Sequence, residues 1–118
     1  MSQLLISEDY PYLEVQFAVR DYETQVRAYL DTGFDGYLIV PLPLATNLGR
    51  EDYATQWELG DGSLIEAKEY FGAIEIPGLE ISLPARITSL GDDFLIGRSV
   101  IDRFRVIFNH GQRIEIEQ

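Results

Sequence analysis

The chain predicts an all-β barrel or sandwich, and three observations carry that expectation. Short runs rich in Val, Ile, Leu and Tyr recur along the whole length, each cut off by Gly, Pro or Asp. The clearest of them, "LEVQFAV" at 13–19, alternates apolar and polar residues, the period of a strand with one buried face. Helical spacing of apolar residues is confined to two short stretches. Seven or more short strands with frequent turns and little helix indicate a closed or partly closed sheet. With 118 residues, 46% hydrophobic and 25% charged, the chain is expected to form one domain, residues 1–118, with a core of modest size.

Taken in order, "QLLIS" (3–7) is a terminal β-like segment. "LEVQFAV" (13–19), a turn at "RDYE" (20–23) and "TQVRAYL" (24–30) form a hairpin. "GYLIVP" (36–41) is a buried strand ended by its proline. "LPLATNLG" (42–49) makes one or two helical turns with Gly49 as C-cap. "YATQWEL" (53–59), "GDG" (60–62) and "SLIEAKEYFGAIEI" (63–76) form a long hairpin with a glycine-rich tip. "PG" (77–78) turns the chain into a strand at 79–87. "DFLI" (93–96) is short and ends on Gly97. "RSVIDRF" (98–104) has apolar residues at 100, 101 and 104, a helical spacing. "RVIFN" and "RIEIE" flank "HGQ" (110–112) as a last hairpin.

Twenty acids against nine bases, of which Lys68 is the sole lysine, leave a net charge of −11. Such a surface repels phosphate backbones and anionic bilayers, so neither nucleic acid nor membrane is an expected partner. The absence of cysteine excludes a disulfide framework and a Cys-ligated metal. The single histidine, His110, falls in a turn and has no second histidine to share a metal with. The longest apolar stretch, "YLIVPLPLA" (37–45), carries two prolines and is too short for a bilayer. The first residues lack the basic region of a signal peptide. A cytoplasmic protein is the default expectation.

The stretch "AYLDTGFDGYLIVP" (28–41) is where chemistry enters. An apolar run carries Asp31 into Thr32 and Gly33, and an apolar run follows. Gly33 permits a sharp turn and the Thr32 hydroxyl can hold one. Apolar flanks on both sides place the carboxylate near the core, where it is costly without partners. A calcium loop opening at Asp31 would need an acid or amide at its third position and Glu at its twelfth; Gly33 and Leu42 stand there. No phosphate loop or nucleophile elbow is present.

A second element, "FLIGRSVIDRF" (94–104), has the same shape: apolar strand, glycine, helix. "YLDTGFDGYLIVP" together with "DFLIGRSVIDRFRVIF" resembles the retropepsin-type aspartic proteases in their single-domain bacterial and archaeal form. Three motifs stand in the family's order: "LDTG" (30–33), "WELGDGSLIEAK" (57–68) and "LIGR" (95–98). The resemblance implies an acid-protease barrel with one short C-terminal helix, half of a pepsin-type two-lobed enzyme. It implies that Asp31 is catalytic, that Thr32 braces the same triplet of a partner chain, and that Gly33 leaves room for substrate backbone. Asp35 and Arg98 match an acid and an arginine that pair beside the site. Leu95, Ile96 and Gly97 form the second apolar-glycine element. The hairpin at about 57–68 corresponds to the flap, with Trp57, Leu59, Gly60, Asp61, Gly62, Leu64 and Ile65 as residues that cover substrate; Trp57 is equally explained as core. Two residues depart from the viral pattern: Phe34, where a small residue is usual, and the charged Asp61 at the flap tip.

This chemistry needs two carboxylates close enough to share a proton. The chain has one Asp-Thr-Gly, so a second copy must supply the other, in a C2 homodimer. The resemblance implies that the terminal strands, about 3–7 and 113–118, pair between subunits; for the last hairpin, pairing within one subunit is an equal alternative. The expected function is an aspartic endopeptidase acting on peptide or protein with water as nucleophile and no metal or organic cofactor. The alternative on the same fold is a non-catalytic dimeric peptide-binding or scaffold module.

Overall fold

Strands with one buried face must close on themselves or be covered, and here most of them close. The computed structural model describes residues 3–118. In chain order the strands are β1 (Leu4–Ser7), β2 (Tyr12–Val19), β3 (Tyr22–Leu30), β4 (Leu38–Val40), β5 (Tyr53–Glu58), β6 (Leu64–Ile76), β7 (Ile81–Ser89), β8 (Leu95–Ile96), β9 (Arg105–Asn109) and β10 (Arg113–Glu117). A 3-10 turn (Leu42–Leu44) runs into the four-residue helix α1 (Ala45–Leu48). The C-terminal helix α2 (Arg98–Ile101) follows β8. No helix among the described residues is long and apolar enough to cross a membrane.

The main sheet runs β2-β3-β8-β4-β7-β6-β5. It closes because β6 also pairs with β2, through Gln16–Glu75, Phe17–Ile74 and Ala18–Ala73. The closure leaves β5 attached to β6 alone, outside the ring. Thirteen residues make β6 long enough to serve three neighbours: β5 with its first half, β2 with its second, and β7 from Lys68 to Ile76. The alternation expected in β2 turns Leu13, Val15, Phe17 and Val19 inward. They meet Leu38, Tyr70, Ile74, Ile87 and Ile96 in one core. Each such side chain contributes roughly 1.5–3 kcal/mol by burial. A three-stranded sheet, β1-β10-β9, covers the barrel with Ile114 and Ile116.

Several expected boundaries move, each for a local reason. The first hairpin turns in two residues rather than four: Val19 pairs with Tyr22, and Arg20 takes a positive φ of 53°. The strand expected at 79–87 begins at Ile81, because the Pro77–Gly78 turn continues through Leu79 and Glu80, with the Leu79 amide on the Ile76 carbonyl. The helix expected over 98–104 is one turn followed by tight turns that lay Phe104 on the Ile101 carbonyl. The strand expected at 36–41 shrinks to Leu38–Val40, since the carbonyls of residues 34, 36 and 37 bond to another segment.

In the single chain the terminal strands pair with each other, one of the two arrangements open to the last hairpin. β10 lies between β9 and β1, with Leu4 opposite Glu117 and Ser7 opposite Ile114. Both edges of residues 113–117 are therefore filled within one chain. Their backbone groups are satisfied without a second copy. The outer edges of β1 and β9 are the ones left open in this sheet, and Leu4 and Ile6 on β1 remain exposed.

Candidate active site

The Asp31 turn is built by an insertion. β3 enters it and β4 leaves it, yet the two do not pair. β8 lies between them, parallel to β3 (Leu30–Ile96) and antiparallel to β4 (Leu38–Ile96). Three successive amides beyond β8 then bond to the turn: Gly97 N–H to the Tyr37 carbonyl (3.0 Å), Arg98 N–H to Phe34 (2.8 Å) and Ser99 N–H to Gly36 (3.0 Å). The Ser99 hydroxyl adds a bond to the Asp35 carbonyl at 2.7 Å. Donors fixed in a strand and helix end thus hold this loop chiefly by its backbone.

Gly97 makes the crossing possible. A Cβ there would lie 2.4 Å from the Gly36 carbonyl oxygen and 2.5 Å from the Phe34 ring. The same ring sits where a Cβ on Gly36 would go, 2.4 Å from its Cζ. Phe34 is thus buried (7% exposed), packed across two glycines. Ile96 lies wholly in the core, and Leu95 faces the cleft.

Asp31 is half-buried rather than enclosed, because β3 ends at the wall of a cleft. Its amide bonds to the Ile96 carbonyl (2.9 Å), and its carboxylate accepts the Gly33 amide (2.9 Å). A side chain at 33 would crowd that carboxylate, with a Cβ 3.2 Å from Oδ1. Thr32 is exposed at the tip of the turn. The cleft measures about 500 Å³ and holds Asp31, Gly33, Asp35 and Arg98 on one side. Phe34, Ile39, Leu90 and Leu95 line it too, together with Trp57, Glu58, Leu59 and Gly60 of the hairpin. A second hollow of about 480 Å³, walled by Tyr12, Tyr29 and Asp93, shares Leu95 with it.

One expected contact is absent. The ion pairs among the described residues join Arg20–Asp52, Arg27–Asp9, Lys68–Glu51, Arg105–Glu117 and Arg113–Glu115, and Asp35–Arg98 is not one of them. Both side chains are exposed, where an ion pair gains little against the entropy of two long side chains. The backbone clamp joins the same two segments instead.

The β5–β6 hairpin tip closes with Leu59 N–H on the Ser63 carbonyl (2.8 Å) and Gly62 N–H on Leu59 (2.9 Å), Gly62 at φ 86°. Asp61 does not face the cleft. Its carboxylate accepts both the Ser63 hydroxyl (2.6 Å) and amide (2.9 Å), which hold its pKa below the ordinary aspartate value. Of the hairpin residues singled out, Asp61, Gly62, Leu64 and Ile65 lie outside the cleft wall of the single chain.

Sequence reasoning missed Glu69. It is wholly buried and accepts the Trp57 indole N–H at 2.8 Å and the Thr88 hydroxyl at 2.6 Å. The signal was present: Ile65, Ala67 and residue 69 share one face of the strand, so an acid stands in an inward register. Trp57 also stacks on Phe34, centroids 5.4 Å apart and planes tilted by 53°.

No known family model matches the chain, and no curated protein does. Solved structures do. A retropepsin-like aspartic protease from Rickettsia conorii superimposes with a TM-score of 0.59 at 13% identity, over 99% of this chain and 92% of that one. The simian foamy virus protease gives 0.54 at 17% identity, over 77% and 91%. The EIAV protease, solved with an inhibitor, gives 0.54 at 20% identity, over 81% and 88%. The expected fold is therefore the observed one: an all-β, retropepsin-like barrel.

Proposed function

From a retropepsin-like fold that brings one Asp-Thr-Gly turn per chain to an open cleft, we propose that the protein is an aspartic endopeptidase acting as a C2 homodimer. The observation that carries the reading is Asp31, set in the cleft wall by a backbone clamp and facing a glycine-tipped hairpin. Two copies of that carboxylate across a two-fold axis share one proton, since like charges so close cannot both ionise. The ionised member takes a proton from water as it attacks the peptide carbonyl. The protonated member donates to the carbonyl oxygen; as the C–N bond breaks, the proton taken from water passes to the leaving amine, and a hydroxyl of the tetrahedral intermediate returns a proton to the other carboxylate. The pair titrates as one unit. Thr32, exposed at the turn, is placed in this reading against its partner copy, and the β5–β6 hairpin covers an extended substrate that bonds to it as an added strand.

Phe34 and Asp61, the two departures from the viral pattern, both have partners inside the chain. Phe34 packs under Gly36 and Gly97, and Asp61 caps its own turn. Neither closes the cleft, which leaves room for an extended peptide.

The test is proteolysis of a mixed peptide library by wild type and Asp31→Asn, from about pH 4 to 7, where a carboxylate pair holds one proton. Fragments made by wild type and lost in the variant are the expected result. No Asp31-dependent fragment anywhere in that range would overturn the peptidase and leave the binding module.

A further inference from the structure

Glu69 is a carboxylate with no exposed surface and no cation among the described ion pairs. Removing such a charge from water is costly, and an apolar residue of similar volume would serve packing at least as well. What the carboxylate adds is direction. It stands opposite Tyr53 on β5 and opposite Thr88 on β7. Trp57 is on the same face of β5 as Tyr53, two inward positions further along, beyond Thr55. To reach Glu69, the indole must lie back along the sheet with its N–H turned inward. That orientation sets the ring against Phe34 of the Asp31 turn, and both rings line the cleft beside Asp31. Thr88, bonded to the other oxygen, keeps the carboxylate from turning away.

We infer that Glu69 is a positioning residue: braced by Thr88, it holds the Trp57 indole as a preset wall of the cleft. Between that wall, Ile39 and Leu90, the cleft takes a large apolar side chain of a peptide. The substrate half of this inference rests on the endopeptidase reading; the brace does not. A wall fixed before binding spares the ligand the entropy of ordering it, so the gain falls on binding more than on the chemical step.

Trp57 is the chain's single tryptophan, so indole emission comes from this site alone. Ligand-free wild type, Glu69→Gln and Glu69→Leu are compared by fluorescence. Glu69→Leu is expected to shift the emission maximum and lower the anisotropy, and Glu69→Gln, which keeps an acceptor, to restore most of both. In kinetics on a peptide with a large apolar residue beside the cut, Glu69→Leu raises KM roughly tenfold with kcat little changed, while a peptide with alanine there is barely affected. Should Glu69→Leu not fold, Thr88→Val removes the brace from its far end and is read in the same two ways. Unchanged anisotropy in a folded variant overturns the brace. An equal loss for both peptides, or a fall in kcat alone, overturns the apolar subsite. If wild type cleaves nothing, the endopeptidase and its subsite fall together, while the fluorescence still decides the brace.

Discussion

Asp31, Gly97 and Phe34 make distinct demands on their positions. Asp31→Asn keeps an oxygen to accept the Gly33 amide, so the fold should hold within about 1 kcal/mol while activity vanishes. Thermal unfolding of the variant checks the first half. A large loss of stability would instead mark the carboxylate as a brace of its own turn. Gly97 is required for space, since its φ of −107° suits any residue. Gly97→Ala would press a methyl into the Gly36 carbonyl and the Phe34 ring. A cost of about 3 kcal/mol is expected, a fall of roughly 10 °C in Tm. Gly36→Ala meets only the Phe34 ring among its close contacts, so its cost should disappear in a Phe34→Ala background. A double-mutant cycle between the two should give a coupling of at least about 1 kcal/mol. Additive effects would mean that the ring does not occupy the space above Gly36.

At the scale of the element, the β5–β6 hairpin is two things in one. Its base is tied to β7 through Glu69 and Thr88, and among the described residues its tip, residues 59–63, hydrogen-bonds within itself. The tip depends on Asp61, whose pKa is lowered first by the Ser63 hydroxyl and then by the Ser63 amide. A folded pKa below the unfolded one means that the bonds stabilise the turn fully above the ordinary aspartate value. That stabilisation is lost as pH falls through the lower, folded value. Protection of the Ser63 amide should therefore be flat from neutral pH to about pH 5 and weaken below roughly pH 4. Asp61→Ala should speed exchange of that amide about 2- to 10-fold above about pH 5, and the difference from wild type should close in acid as Asp61 itself protonates. Hydrogen exchange by NMR reads both. An amide equally protected at pH 3 would remove Asp61 from the turn's support. The residues that line the cleft from this element, Trp57 to Gly60, run into the turn, so loosening the tip frees Leu59 and Gly60 first.

For the whole molecule, charge and catalysis pull apart. Each chain carries −11, and the proposed dimer must bring two such surfaces together. Repulsion between them is screened by salt, over a Debye length of about 8 Å at physiological ionic strength. Raising salt from about 0.01 to 0.2 M should therefore tighten the dimer severalfold, and sedimentation across a dilution series measures this. Specific activity should fall on dilution at the concentration where the dimer separates. Activity that stays constant into a monomeric regime would rule out the shared aspartate pair.

How much of this was legible depended on the range of the interaction. Alternation in "LEVQFAV", the glycines of the hairpin tip and the turn at Pro77–Gly78 are local signals, set by neighbours within a few residues. They placed nearly every strand, the Asp31 turn and the hairpin opposite it. The order of three short motifs placed the fold. What the chain alone left open were pairings between distant segments. The two clamped loops looked as though Asp35 and Arg98 would join them, and backbone amides do so instead. The last strand could pair within the chain or with a partner, and in the single chain β1 lies along it. Glu69 drew no notice among twenty acids, and it is buried, holding Trp57 at the cleft wall. The reason is common to all three. Period and turn chemistry say which face of a strand is buried. Which donor meets which acceptor depends on closure of the barrel, and that closure brings residues 17 and 74, or 30 and 96, side by side.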